Sequence, residues 1–198
     1  AVIPPPVDSS LFSSDFPEPS STPSVVYMGN QDAYQNLPLL FSAMDEVRKT
    51  FPQVLLKMFS MTPCDRPGVE YVPDTGMESL RKVLAEEVIV AVPRISWSGY
   101  PMKILNAMAA GRPVIACVSA AGPIDDGING LVAPDNDPAA FAAALVRLIG
   151  DARLRRELGK NAREKVSHGH APVTVAQSVE RLALAALGRA EDSQKGPM

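Results

Sequence analysis

Apolar residues in this chain fall into short unbroken runs, separated by longer stretches in which they recur at helical spacing. Val25-Val26-Tyr27-Met28-Gly29 is an apolar run closed by glycine, the pattern of a buried strand ending in a tight turn. Asn36-Leu37-Pro38 then opens a predicted helix, with proline in the first turn and Leu40, Met44 and Val47 along one face. Residues 54–59 and 69–72 read as a second and a third strand. Residues 77–85 read as a helix whose inner face is Leu80, Val83 and Leu84. Val88-Ile89-Val90-Ala91-Val92 is apolar without interruption, as expected of a central strand covered on both faces. A helix over 101–110 stops at Gly111, and residues 113–118 form the next buried strand. Gly127, Asn129 and Gly130 mark a turn before Leu131-Val132. Asp137-Pro138 places an N-cap before a proline at the first helical position and starts a helix that reaches Gly150. Asp151 caps another helix to residue 166, and Pro172 opens a last one to Leu187.

Strands and helices thus alternate, and the strands are apolar throughout. That pattern predicts a doubly wound, mostly parallel α/β sheet, Rossmann-like, with helices on both faces. Residues 24–187 form the domain, residues 1–23 an extended linker and residues 188–198 a polar, frayed tail. Ligands of such sheets sit outside the carboxyl ends of the strands, which directs attention to residues 29–36, 94–103 and 118–126.

Composition narrows the classes. An apolar fraction of 46% and a charged fraction of 21% belong to an ordinary globular chain. A net charge of -3 with a pI near 5.4 argues against a nucleic-acid surface over the whole chain. Cys64 and Cys117 are too few for a disulfide framework or a zinc site and suggest a reducing compartment, the cytoplasm. Of 19 prolines, six fall within the first 23 residues, a segment without the basic start and apolar run of a signal peptide. No apolar run approaches the ~20 residues of a membrane span.

The most informative segment runs from Ser98-Gly99-Tyr100-Pro101-Met102-Lys103 through Asn106-Ala107-Met108-Ala109-Ala110-Gly111-Arg112-Pro113-Val114. Physically it is a loop feeding a helix, whose first amides (residues 99–103) and dipole would form an anion site suited to a diphosphate. Gly99 allows close approach to the backbone. Lys103 in the first turn is unfavourable against the helix dipole unless an anion is present. The plainer alternative is a buried helix with a solvent-facing lysine.

This segment resembles the carboxy-terminal nucleotide-sugar domain of the retaining glycosyltransferases of the glycogen-synthase-like, family-four type. Their consensus here is Glu-Gly-(Phe/Tyr)-Pro-x-x-x-Leu-Glu-Ala-Met-Ala-x-Gly-x-Pro-Val. The likeness covers most of the chain. Val2-Ile3-Pro4-Pro5-Pro6-Val7-Asp8, with Phe12 beyond, is similar to the family's interdomain hinge. Gly127-Ile128-Asn129-Gly130-Leu131-Val132-Ala133-Pro134 matches its Gly-x-x-Gly-Leu-Leu-Val-x-Pro turn. The helix carrying Arg155 and Leu158-Gly159 matches its closing Arg-x-x-(Leu/Met)-Gly motif. The resemblance implies the second half of a two-domain GT-B architecture. It binds a nucleotide diphosphate sugar without a metal or other cofactor, and it faces an amino-terminal domain that holds a glycan or lipid-linked acceptor. Peripheral contact with the inner face of a membrane is a secondary expectation.

The residue-by-residue carry-over is uneven. Ser98 stands where the family has its first glutamate, near the transferred sugar, and Asn106 where the second grips the ribose. Asn106 can still hydrogen-bond a hydroxyl, though without charge. After the first strand the family carries Gly-Arg-x5-Lys, two cations for the diphosphate; here Gly29 is followed by Asn30, and Gln35 lies near the lysine position. Lys103, Arg94 and Arg112 are the cations available to substitute. The resemblance therefore assigns Ser98 and Lys103 to the chemistry, and Gly29, Asn30, Gln35, Arg94, Gly99, Tyr100, Pro101, Met102 and Asn106 to the donor nucleotide and its diphosphate.

Other candidates have bland readings beside functional ones. His168 and His170 read as a solvated link between the last two helices. Trp97 fits a stacking platform or a core plug. Asp125-Asp126 reads as turn chemistry first and a sugar contact second. The small-residue loop 119–122 suits close approach of a sugar. Arg153, Arg155, Arg156, Lys160, Arg163 and Lys165 read as a solvated, ion-paired helix face.

The expected activity is transfer of a sugar from a nucleotide diphosphate with retention, the chain alone binding nucleotide without turnover. Three alternatives stand beside it: a degenerate interaction or regulatory domain, half of a nucleotide-sugar epimerase, and an unrelated nucleotide-binding or response-type domain.

Overall fold

The structure, a computed structural model, describes residues 3–12, 22–96 and 99–194. Six strands form one sheet: β1 (Ser24–Met28), β2 (Leu56–Ser60), β3 (Val69–Pro73), β4 (Val88–Val92), β5 (Val114–Cys117) and β6 (Leu131–Ala133). Their order is β3-β2-β1-β4-β5-β6, and every pairing is parallel. The helices are α1 (Leu37–Thr50), α2 (Met77–Ala85), α3 (Met102–Ala109), α4 (Pro138–Gly150), α5 (Ala152–Gly169) and α6 (Pro172–Gln194). The last of these continues past the Leu187 end read from the sequence.

Alternate residues of the central strands feed two cores. Val25, Tyr27, Ile89, Ala91 and Ile115 face α1 and α4, where they meet Leu40, Met44, Phe141 and Leu145. Val26, Met28, Val90, Val114 and Ala116 face the other way, onto Ile104, Leu105 and Met108 of α3 and Ala162 and Val166 of α5. Both faces being covered is why these strands read as unbroken apolar runs.

The helix boundaries follow local chemistry. Asp137 and Asp151 each accept a hydrogen bond from the backbone three residues on, Ala140 N and Leu154 N, both at 2.9 Å. At the other end of α3, Gly111 takes φ +68, its amide bonds Met108 O, and Arg112 N bonds Ala107 O, both at 2.9 Å. This glycine-dependent stop satisfies the orphan carbonyls of α3 and aims the chain directly into β5.

Three expectations are corrected here. The basic face of α5 is not uniformly solvated. Arg155 is 3% exposed: its Nη1 donates to Leu148 O and Ile149 O at 2.8 Å, and its Nη2 to Glu87 Oε1 at 2.7 Å. Arg163 donates to Ala109 O at 2.9 Å and to the carbonyls of Ser9 and Phe12. Carbonyls left over at helix and strand ends draw these guanidiniums inward, and five donors let one arginine serve several of them. Arg112 is likewise buried, bonding Ala110 O and Glu86 O, and burial pushes its pKa down to about 10. It lies at the amino-terminal end of β5, the end of the sheet opposite the crevice, and cannot stand in for a donor cation.

His170 is the third correction. It is no solvated link but a buried residue at the end of α5, 6% exposed, whose Nδ1 lies 2.9 Å from Pro5 O. Its own carbonyl accepts Val7 N at 2.8 Å. Residues 3–12 are thereby held against the domain, with Val7 and Phe12 inserted into the second core. His168 behaves more as expected: it is exposed, and its ring meets Glu164 O at 2.8 Å.

Candidate functional site

Strand order reverses between β1 and β4, and a crevice opens at their carboxyl ends, as that topology requires. The pocket there has a volume of about 540 Å³. Five segments converge on it: the turn after β1, Met61-Thr62 after β2, Asp74 after β3, Arg94 after β4, and residues 100–104 at the start of α3. Gly29, Asn30, Gln35, Arg94, Tyr100, Pro101, Met102 and Lys103, all singled out from sequence, line it together. Gly99 immediately precedes the lining, with φ +71 and open space where a side chain would project. Asn106 does not line the pocket, and Ser98 and Trp97 lie outside the described residues.

Lys103 is the central feature. Its Nζ reaches across Gly29, so closely that a Cβ there would collide with it and with the Tyr27 hydroxyl. Gly29 adopts φ +154, and its amide donates to Phe59 O at 2.9 Å, carrying the β1–β2 ladder one residue into the site. Lys103 makes no hydrogen bond or ion pair among the described residues. Its side chain remains open to solvent along the pocket, yet the surrounding walls lower its pKa, chiefly by desolvation. The Asp74 carboxylate opposes that shift and the Arg94 charge adds to it.

Where the family resemblance would place two cations, this chain builds a closed polar cluster. Asn30 Oδ1 accepts Gln35 Nε2 at 2.7 Å, and Asn30 Nδ2 donates to Asp32 Oδ2 at 2.5 Å and to the Tyr34 hydroxyl at 3.3 Å. The Tyr27 hydroxyl donates to Asn30 O, and burial is the first cause of its raised pKa. Gln35 is itself buried. These side chains are committed to one another and shape the wall. Positive charge comes instead from the β4 end, where the Arg94 guanidinium lies 5.1 Å from the Tyr34 ring centroid. Ile95 N donates to Tyr34 O at 3.3 Å, tying the two loops together.

The amides opening α3 are fewer than the sequence predicts. Pro101 has no N–H, and Met102 N is taken by Tyr100 O at 2.8 Å. The Gly99 and Lys103 amides have no backbone partner among the described residues. Among the described residues no side chain caps α3, whose first turn lines the pocket and brings the helix's positive end to it.

The remaining candidates lie elsewhere. Asp125 pairs with Asn129 and with Lys165 Nζ at 2.7 Å, which holds its carboxyl below the usual range. Asp126 accepts Val132 N at 2.8 Å. Both carboxylates serve the turn into β6. Ser119 is held by Asp135 through its amide and hydroxyl and does not line the pocket. Cys117 is buried and its thiol is pushed up to about 12, leaving no thiolate for chemistry. Among the described residues no cluster of three His, Cys, Asp or Glu side chains could hold a metal, and no helix is long and apolar enough to cross a membrane.

Tyr34 lies in the 29–36 loop named from the sequence, though no motif singled it out, whereas Asp74 and Met61 are pocket residues outside the named loops. Both follow a strand's carboxyl end, so the topological rule applied to the other loops extends to them.

The sequence and the fold are similar to those of known proteins. The chain is 34% identical over 103 residues to a D-inositol 3-phosphate glycosyltransferase of Corynebacterium kroppenstedtii, a match covering 51% of this chain and 23% of that protein. Its fold superposes on sucrose-phosphate synthase of Thermosynechococcus elongatus with a TM-score of 0.78 at 23% identity, covering 94% of this chain and 52% of that one. Anabaena HepE in complex with UDP-glucose gives a TM-score of 0.75 at 16% identity, over 91% and 56% of the two chains. In these three comparisons the matched region covers from 23% to 56% of the other protein's own length. The sequence profile described as glycosyl transferases group 1 matches residues 22–151. With a GT-B-type parallel sheet and a crevice at its switch point, this chain belongs to the group 1 glycosyltransferases.

Proposed function

We propose that this chain is the donor-binding half of a retaining glycosyltransferase that uses a nucleoside diphosphate sugar. The observation that carries the reading is Lys103: a partly desolvated ammonium laid across Gly29, beside the start of α3, with no hydrogen bond or ion pair among the described residues. Desolvation by the pocket walls disfavours this charge, so an anion arriving beside it would be favoured. A diphosphate would accept from Lys103 Nζ, from Arg94 and from the Gly99 and Lys103 amides. In transfer the same donors would stabilise the charge developing on the leaving diphosphate, with no metal required. The HepE complex with UDP-glucose supports the ligand class by analogy of fold. The acceptor, a glycan or lipid-linked sugar, would be presented by the other half of the enzyme over the same crevice.

A second reading has one specific observation in its favour. The Asn30–Gln35–Asp32–Tyr34 cluster fills the place of two cations, as expected if the domain had passed from catalysis to interaction. Calorimetric titration of the chain with UDP and GDP separates the two. Binding that weakens by about 10- to 100-fold in Lys103→Ala supports the donor site, since a charged hydrogen bond is worth about 1.5–3 kcal/mol. Absence of binding by either nucleotide supports the interaction domain.

A further inference from the structure

His170 sits between the strap of residues 3–12 and Tyr100, a wall residue of the pocket. Its backbone is fixed from two sides: its amide closes α5 on Val166 O at 2.9 Å, and its carbonyl accepts Val7 N at 2.8 Å. Its ring is buried and makes two contacts of different kinds. Nδ1 lies 2.9 Å from Pro5 O, and because a carbonyl can only accept, Nδ1 carries the proton. The ring also meets Tyr100 edge to face, with centroids 5.7 Å apart and planes at 64°. Tyr100 lines the pocket, and its carbonyl takes Met102 N, which sets where α3 begins and so where Lys103 is delivered.

One imidazole thus joins three segments that are distant in sequence: the strap, the site loop and the end of α5. A buried histidine that merely filled space would need one satisfied nitrogen and any apolar neighbours. This one spends its nitrogen on the strap and its edge on a wall residue of the pocket. We propose that His170 is a positioning residue, through which the seating of the strap sets Tyr100 and the opening of α3. The coupling is reciprocal, so a ligand that fixes Tyr100 also tightens the strap. The consequence for ligand affinity rests on the donor-site reading above; the coupling of strap to site loop does not.

Two variants of the 198-residue chain separate the contacts. His170→Asn keeps an N–H for Pro5 O and loses the ring edge on Tyr100. Val7→Pro removes the strap's N–H to His170 O. Trp97, the single tryptophan, lies three positions before Tyr100 in sequence and serves as optical reporter without any ligand. Expected results are altered acrylamide quenching of Trp97 in each variant, and UDP or GDP affinity about three- to tenfold weaker. In the double variant the losses should not multiply, since both act through His170. Circular dichroism melts identify any variant that fails to fold; His170→Phe, which keeps a ring against Tyr100 but not the strap bond, then replaces it. Folded variants with unchanged Trp97 quenching overturn the proposal, as do losses that multiply. If the parent chain binds neither nucleotide, the donor reading falls and Trp97 quenching alone decides the role of His170.

Discussion

At the amino-terminal end of the sheet, Arg155 binds two helix carbonyls and Glu87, and Arg112 binds the carbonyls of Ala110 and Glu86. At the carboxyl end, Lys103 crosses Gly29 and binds nothing among the described residues. Both ends place positive charge in partly desolvated ground. At one end the charge closes the fold's own accounts of carbonyl and carboxylate; at the other it is withheld from them. Stability lives at the first end and, on the proposed function, ligand chemistry at the second, so lesions at the two ends should produce different phenotypes.

The largest effect is expected from Arg155→Ala, which removes the buried guanidinium's bonds to Glu87 and to two helix-end carbonyls. Loss of about 3–5 kcal/mol is predicted, as for other buried pairs broken on one side, and urea denaturation measures it. Lys103→Ala should do the reverse: a denaturation midpoint at or above that of the parent, with most nucleoside diphosphate affinity gone. An arginine-like loss of stability in Lys103→Ala would erase the contrast between the ends.

The pH dependence of Lys103 sharpens the comparison. Its folded pKa lies below the 10.5 of an unfolded lysine, so between the two values the unfolded chain binds more protons, and this group's contribution to stability rises with pH across that window. Nucleotide affinity should move the opposite way, falling as pH climbs through the lowered value, where an unperturbed lysine would still be charged. Titrations repeated across alkaline pH, with Lys103→Arg as the variant that stays protonated, test both signs.

Gly29→Ala comes next. Adding a Cβ at φ +154 meets Lys103 Nζ and the Tyr27 hydroxyl, so a cost of about 1–2 kcal/mol should accompany weaker binding. The smallest effect is expected from Asn30→Arg. The new guanidinium would restore a cation to the β1 loop, but Asp32 stands within reach to neutralise it, so affinity should rise only a few-fold. Pairing it with Asp32→Ser should raise it further.

The sequence made the fold legible because its punctuation is chemical. Asp137-Pro138, Asp151, and Gly111 before Arg112-Pro113 each specify a cap or a stop, and the structure uses each one in that way. The pocket was half legible. Residues in the loops after β1 and β4 and at the opening of α3 were found because motif and topology agree there. Arg112 was misplaced because position in a motif does not say which end of a strand it occupies. His170 was misread because two histidines near a glycine look like a solvated link, and only the fold brings Pro5 and Tyr100 to them. Burial of Arg155 and Arg163 was hidden for a related reason: helical periodicity marks their faces but not the carbonyls waiting there.

The pairing of β1 with β4 carries a kinetic consequence. Ser24 sits opposite Val88, so the two strands that frame the pocket join only after the whole β1-α1-β2-β3-α2 half has been made and looped back. Such non-local closure is slow compared with the hairpin-like assembly of each β-α unit. In a refolding experiment, recovery of nucleotide binding should therefore lag behind the return of helical signal. A nascent chain still short of Val92 would have its first strand in place and no crevice beside it.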